Sequence, residues 1–127
     1  MAVAVGPTQG ETIAAELNIL AAEVFRIPAG THAAAAALGQ QLRAGSFEAV
    51  AGVGGGQTID ATKFAAHMAG IPMVSVATNL AHDGIASPVS SLEHESGKSS
   101  YGVAPPVGVV VDLDSVRTAP ALGSAQP

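Results

Sequence analysis

The 127-residue sequence contains no cysteine and no tryptophan, and aromatic residues make up only 3% of it. The absence of cysteine excludes a disulfide scaffold, a thiolate zinc site and a cysteine nucleophile. Because 48% of the residues are apolar but few are aromatic, the core must be built from Ala, Val, Ile and Leu in closely packed layers. This composition favours helices packed tightly on a parallel sheet.

Basic residues are also scarce. Five Lys and Arg against ten Asp and Glu give a formal net charge of −5, with no basic run. This balance disfavours nucleic acid and anionic membranes as partners. The N-terminus lacks the features of a signal peptide, and the longest apolar runs are far too short to span a membrane. We therefore expect a soluble, cytoplasmic protein of one domain at most.

The most informative stretch is residues 47–70, FEAVAGVGGGQTIDATKFAAHMAG. It predicts a buried strand, a glycine turn and a helix over residues 58–68. The N–H groups of a first helical turn lack intrahelical partners, and residues without Cβ let a phosphate approach them closely. Because a strand and a helix flank Gly54, Gly55 and Gly56, we favour a phosphate-binding turn over a plain tight turn.

Two better-known glycine motifs are excluded. A Walker loop is ruled out because no lysine follows a glycine at the required spacing. In the Rossmann pattern G-x-G-x-x-G, Gln57 stands where the third glycine is required. A dinucleotide site cannot rest on either pattern.

Strand and helix patterns alternate along the chain. They predict strands over residues 2–5, 23–27, 71–78 and 107–111, and helices over residues 11–17 and 32–42, the second capped by Thr31. This alternation predicts an α/β fold with a Rossmann-like, doubly wound parallel sheet, whose ligand-binding loops follow the strands. Residues 89–103 predict a β-hairpin arm with its turn at 93–98. Residues 1–120 form one predicted domain, and residues 121–127 a disordered tail.

Histidines and a carboxylate pair are given structural interpretations. His32 is predicted to lie at the surface, because no acidic or histidine partner stands one turn away. His67 and His94 are interpreted as structural, and His67 is placed to reach Lys63, one helical turn before it. Asp112 and Asp114 are interpreted as a strand-end residue and a helix cap rather than as a metal site.

Residues 52–91, GVGGGQTIDATKFAAHMAGIPMVSVATNLAHDGIASPVSS, closely resemble the sn-glycerol-1-phosphate dehydrogenases. That family lies within the superfamily of iron-containing alcohol dehydrogenases and dehydroquinate synthases. The motif G-G-G-x-x-x-D-x-x-K, residues 54–63, is shared across the superfamily, whereas H-D-G-I-A-S-P, residues 82–88, is particular to the glycerophosphate branch. A looser likeness extends over residues 2–120.

The resemblance implies a nucleotide-binding domain for NAD or NADP, and hydride transfer between the nicotinamide and C2 of dihydroxyacetone phosphate, giving sn-glycerol 1-phosphate. Asp83 would contact this small phosphorylated substrate, and the pyrophosphate would lie at the glycines. The residues implied to contact the cofactor are Gly54, Gly55, Gly56, Gln57, Thr58, Ile59, Asp60, Thr78, Asn79, Leu80, Ala81 and Ser87. No catalytic residue is assigned.

Family members bind a divalent metal, usually zinc, through an aspartate and two histidines of a C-terminal helical domain. The likeness stops after Pro120, so the resemblance places no metal ligand in this sequence. It also places the start of the nucleotide-binding domain before residue 2, which leaves that domain incomplete at its N-terminus. We therefore expect a truncated nucleotide-binding portion that is inactive alone. Its uncovered apolar face could support homo-oligomers.

Several alternatives stay open beside this interpretation. Asp60 could simply complement the helix dipole. Lys63 could be a solvated helix lysine or a charge near the phosphates, and His82 is interpreted as facing water. The chain could also be another superfamily member or a non-catalytic dinucleotide-binding remnant, and the sequence does not decide between NAD and NADP.

Overall fold

The structure, a computed structural model, describes residues 2–6, 23–77 and 87–111. These residues form seven strands and two helices. The predicted helix over residues 11–17, the loop 78–86, the aspartate pair and the predicted tail lie outside the described residues. The elements in chain order are β1 (Ala2–Val5), β2 (Glu23–Arg26), α1 (His32–Gly45), β3 (Val50–Gly54), α2 (Gly56–Ala69), β4 (Met73–Ala77), β5 (Val89–His94), β6 (Gly97–Gly102) and β7 (Gly108–Val111).

Five of the strands form one parallel sheet in the order β2-β1-β3-β4-β7. The chain moves from β1 to β2 on one side and then returns to β3 on the other, so the strand order reverses between β1 and β3. Val5 pairs in register with both Arg26 and Val53, which brings three carboxyl ends to one edge. Open α/β sheets bind ligands at such a reversal. The predicted α/β fold class is confirmed.

Helix α1 begins where the sequence predicts. The Ala34 N–H donates to Thr31 Oγ1 at 3.1 Å, which confirms Thr31 as the N-cap. The helix continues three residues beyond the predicted end at residue 42, because a left-handed Ser46 (φ 53°) closes its last turn with a bond to the Arg43 carbonyl. Of the described helices, neither is long and apolar enough to cross a bilayer.

Helix α2 begins at Gly56, two residues before the predicted start at residue 58. Glycines carry no helical periodicity, which is why the pattern missed the first turn. The predicted end is confirmed: Gly70 has φ 71°, and its N–H reaches the Ala66 and His67 carbonyls.

The core consists of two apolar layers, one on each face of the sheet. The larger layer lies between the sheet and the two helices and includes Leu42 and Ile59, and the smaller includes Val5 and Val53. The helices approach closely because Gly39 has no side chain; a Cβ there would lie 3.2 Å from Met68 Sδ. The predicted core of small aliphatic residues is confirmed, since the aromatic rings are only partly buried against it.

The β5–β6 hairpin packs on the two helices through contacts between aromatic and histidine rings, and it is hydrogen-bonded to the segment before α1. The Glu93 N–H donates to the Gly30 carbonyl at 3.0 Å. The His32 and His94 rings stack with centroids 4.7 Å apart, and His94 Nε2 is hydrogen-bonded to the Tyr101 hydroxyl. The interpretation of His94 as structural is therefore confirmed. The predicted turn at 93–98 is too long, because the strands continue until only two residues, 95 and 96, separate them.

The prediction that His32 lies free at the surface is wrong. His32 is half-buried, and besides His94 it contacts the rings of Phe64 and Tyr101 at centroid distances of 5.1 and 5.7 Å. Spacing along α1 could not reveal this, because the partners come from α2 and the hairpin. These four rings, His32, Phe64, His94 and Tyr101, form the ring cluster that attaches the hairpin.

We expect Tyr101→Ala to loosen the hairpin. The change removes edge contacts with Phe64 and stacking on His32, each worth about 0.5–1.5 kcal/mol, so the free energy of unfolding should fall by about 1–3 kcal/mol. Thermal melting and amide exchange over β5 and β6 would measure this. Tyr101→Phe is the matched control, since it keeps the ring and removes only the hydroxyl. Equal exchange in Tyr101→Ala and the wild type would show that the rings do not hold the hairpin.

Candidate functional site

Gly54, the last residue of β3, and Gly55, which precedes α2, have different roles. Gly54 has φ 154°, which other residues rarely adopt, and a Cβ there would lie 3.0 Å from the Thr58 side chain. Gly55 has an extended conformation (φ −87°, ψ −167°), and no atom of the described residues lies within 4 Å of a Cβ built there. The fold thus requires Gly54, whereas the space beside Gly55 is open.

That open space lies at the start of α2. Gly55 is the N-cap residue, and within the described ranges no side chain caps this end of the helix. The Ile59 N–H donates to the Gly55 carbonyl at 3.0 Å, which begins the hydrogen bonding of the helix. A ligand approaching this end of α2 would therefore meet the N–H groups of the residues before Ile59. Because the helix dipole adds positive potential at this end, the arrangement suits an anion.

The glycine turn also faces the strand-order reversal. Gly6 follows β1, and a Cβ at Gly6 would collide with the Thr58 hydroxyl. The first turn of α2 therefore packs directly against the end of β1, with the Thr58 side chain buried between the two strand ends. This is the crevice between β1 and β3 where the topology predicts a ligand.

Lys63 is one of the largest fully buried side chains of the described chain, at 1% exposure. Its ammonium lies 3.3 Å from Asp60 Oδ1 and donates to the Ser87 carbonyl, the Ser87 hydroxyl and the Val89 carbonyl. The interpretation of Lys63 as a solvated lysine is therefore wrong. These contacts also place its charge along the side of α2 rather than at the glycine turn, because the chain returning to β5 supplies oxygen atoms there.

The structure distributes the residues implied for cofactor contact over several environments. Gly55, Gly56 and Gln57 lie at the open end of α2, with Gln57 exposed. Thr58 and Asp60 are buried, and Ile59 is fully buried in the core. Ser87 is half-buried against Lys63. Thr78, Asn79, Leu80, Ala81, His82 and Asp83 lie outside the described residues.

The described chain has other polar groups besides those of the glycine turn. A cavity of about 690 Å³ beside the hairpin tip is lined by residues 31–33 and 93–96. His67 is exposed, and its Nδ1 accepts from the Ala104 N–H at 3.1 Å, so it braces the chain after β6 and does not reach toward Lys63. Among the described residues, no three His, Asp or Glu side chains are arranged to hold a metal ion.

The sequence matches a known protein family over most of its length. The model of the family "Iron-containing alcohol dehydrogenase" matches residues 3–120. A glycerol-1-phosphate dehydrogenase [NAD(P)+] of Thermofilum pendens is 40% identical over 112 residues, which cover 87% of this chain and 32% of that protein. One from Pyrococcus abyssi is 44% identical over 68 residues, covering 54% of this chain and 20% of the relative. The chain thus spans a third or less of the length of these curated relatives.

Solved structures share the fold at lower identity. A probable glycerol dehydrogenase from Sinorhizobium meliloti 1021 superimposes with a TM-score of 0.82 at 21% identity, over 94% of this chain and 35% of that chain. Maleylacetate reductase from a Rhizobium species gives a TM-score of 0.80 at 20% identity, over 94% and 36%. The family match covers nearly all of the sequence, and the chain therefore belongs to the iron-containing alcohol dehydrogenase family.

Proposed function

We propose that this chain is the dinucleotide-binding portion of a glycerol-1-phosphate dehydrogenase that uses NAD or NADP. The observation that carries the proposal is the open space in front of Gly55, at an uncapped helix N-terminus facing the strand-order reversal. The relatives that share 40% and 44% identity carry the name of this activity. Fold similarity alone would leave the ligand undefined.

The residues of the glycine turn fit a diphosphate group. Backbone N–H groups of Gly56, Gln57 and Thr58 would donate to its oxygens, and Gly55 leaves room for the group to approach. No side-chain charge is needed there, because the dipole of a 14-residue helix favours the anion. The chemistry that NAD or NADP would supply when bound there is hydride exchange with C2 of the substrate.

The remaining implied residues belong to the same proposal. Ser87 would line the cofactor. The resemblance assigns the same role to Thr78, Asn79, Leu80 and Ala81, and Asp83 would contact dihydroxyacetone phosphate. The resemblance assigns the family's divalent metal, usually zinc, to an aspartate and two histidines of a helical domain, and we propose no residue of this chain as a metal ligand. The chain would then supply the cofactor half of the active site and show no turnover alone.

A titration of the purified chain with NADH and NADPH tests the proposal. We expect saturable binding of at least one of them below millimolar concentration, followed by nicotinamide fluorescence and calorimetry, and competition by ADP-ribose, which retains the diphosphate. Circular dichroism on the same sample would establish that the chain is folded. A folded chain that binds neither dinucleotide at millimolar concentration would refute the cofactor site.

A further inference from the structure

A buried polar contact joins α2 to the start of the hairpin. Besides the contacts of the Lys63 ammonium with Ser87 and Val89, the Ser90 hydroxyl donates to the Asp60 carbonyl at 2.6 Å. The Lys63 side chain on α2 and the Ser90 side chain on β5, which make these contacts, are both at least nine-tenths buried. Residues 87–90 are therefore fixed on α2 by directed hydrogen bonds as well as by packing.

A buried lysine ammonium is unusual at the contact between a helix and a strand. Removing a charge from water costs several kcal/mol unless hydrogen bonds and an opposite charge compensate for it. Packing of β5 on α2 would be achieved as well by a leucine or methionine. What the Lys63 ammonium adds is direction, because it fixes the positions of the Ser87 and Val89 carbonyls relative to the helix.

The same helix carries the glycine turn. Lys63 stands seven residues after Gly56 in α2, which corresponds to about 10 Å along a rigid helix. Ser87 directly follows the stretch 78–86, in which the resemblance places five further contact residues, four for the cofactor and one for the substrate. One rigid element thus carries the proposed diphosphate site at its start and holds the end of that stretch two turns later.

We propose that Lys63 is a positioning residue of the cofactor site, which acts by holding Ser87 at a fixed distance from the glycine turn. This inference rests on the proposed function. It assigns to Lys63 a contribution to dinucleotide affinity without contact between Lys63 and the dinucleotide. Inorganic pyrophosphate, which engages the glycine turn alone, should be insensitive to Lys63, and this difference separates positioning from a general effect on folding.

The test compares dissociation constants of NADH and NADPH for the wild type and Lys63→Met. Loss of the hydrogen bonds that fix Ser87 should weaken dinucleotide binding about tenfold. Competition by inorganic pyrophosphate should stay within about twofold of the wild type. Because Lys63→Met leaves Asp60 buried without this cation, the double variant Asp60→Asn/Lys63→Met is measured in parallel, and it decides the matter if the single variant does not fold.

Two further variants sharpen the result. Ser87→Ala should weaken dinucleotide binding by itself. In the double variant Ser87→Ala/Lys63→Met, the dissociation constant should rise by less than the product of the two separate fold-changes, because both substitutions act through one contact. Ser90→Ala is the matched control: it breaks another bond between β5 and α2 and should leave dinucleotide affinity within about twofold.

The outcomes separate this inference from the function on which it rests. Wild-type binding combined with unchanged affinity in the folded Lys63 variants would overturn the positioning role and leave the dinucleotide site in place. Equal losses for dinucleotide and pyrophosphate would also overturn it, since they would indicate general damage to α2. A wild type that binds neither dinucleotide would overturn both proposals.

Discussion

Gly55→Val should abolish dinucleotide binding while the melting temperature stays close to that of the wild type. The extended backbone at Gly55 (φ −87°) suits valine, and within the described chain no atom lies within 4 Å of a Cβ at this position. The added methyl groups would instead occupy the space in front of the α2 N-terminus. Two hydrogen bonds to a charged phosphate are worth about 1.5–3 kcal/mol each, so their loss should weaken binding about 100-fold or more.

Calorimetric titration with NADH and NADPH, with melting on the same samples, would measure this effect. Gly102→Val on β6 is the matched control, because a Cβ at Gly102 also meets no described atom within 4 Å but lies on the hairpin. It should change neither binding nor melting. If Gly55→Val binds as tightly as the wild type, the glycines form only a turn, and the proposed cofactor site is wrong.

Gly52→Val should cause the largest loss of stability. Gly52 lies in the middle of buried β3, and a Cβ there would lie 2.8 Å from the Thr62 Cβ and Oγ1 atoms. Thr62 cannot yield easily, because it is fully buried and its hydroxyl donates to the Thr58 carbonyl at 2.7 Å. Helix α2 would have to move away from the sheet, at a cost of about 3 kcal/mol, the upper end for overpacked cores.

Urea unfolding would measure this loss as a lower midpoint at an unchanged slope. The matched control is Gly108→Val in β7 of the same sheet, where the nearest atoms to a new Cβ are the Val74 methyl groups at 3.9 Å, an ordinary contact distance. Valine suits a strand, so this variant should be as stable as the wild type. Similar losses in both variants would show that β propensity or general crowding, rather than the β3–α2 contact, decides the outcome.

Much of the fold was accessible from the sequence because its signals are local. The apolar run before the glycines and the cap at Thr31 are each read within a few residues, and each is confirmed. Strand order is not local, but the alternation of strands and helices restricts it strongly. The elements were therefore predicted within about two or three residues at most ends, which is the usual precision of element boundaries.

The environment of individual polar side chains was harder to predict. The interpretation of His32 considers only partners one helical turn away, whereas its ring partners come from α2 and the hairpin. Lys63 does have Asp60 one turn away, but its other partners, Ser87 and Val89, are distant in the sequence. Long-range contacts of this kind leave no periodic signal in a single sequence. The glycine turn was predictable for the opposite reason, since its backbone geometry depends on consecutive residues.

The unequal roles of the two adjacent glycines offer a way to sort related sequences. A relative that retains glycine at the position of Gly54 but carries a bulky residue in place of Gly55 would preserve the architecture of the sheet and close the anion site. Such a protein would be a candidate for a family member that has kept its scaffold and changed its ligand. Loss of the first glycine would instead point to a rebuilt connection between β3 and α2.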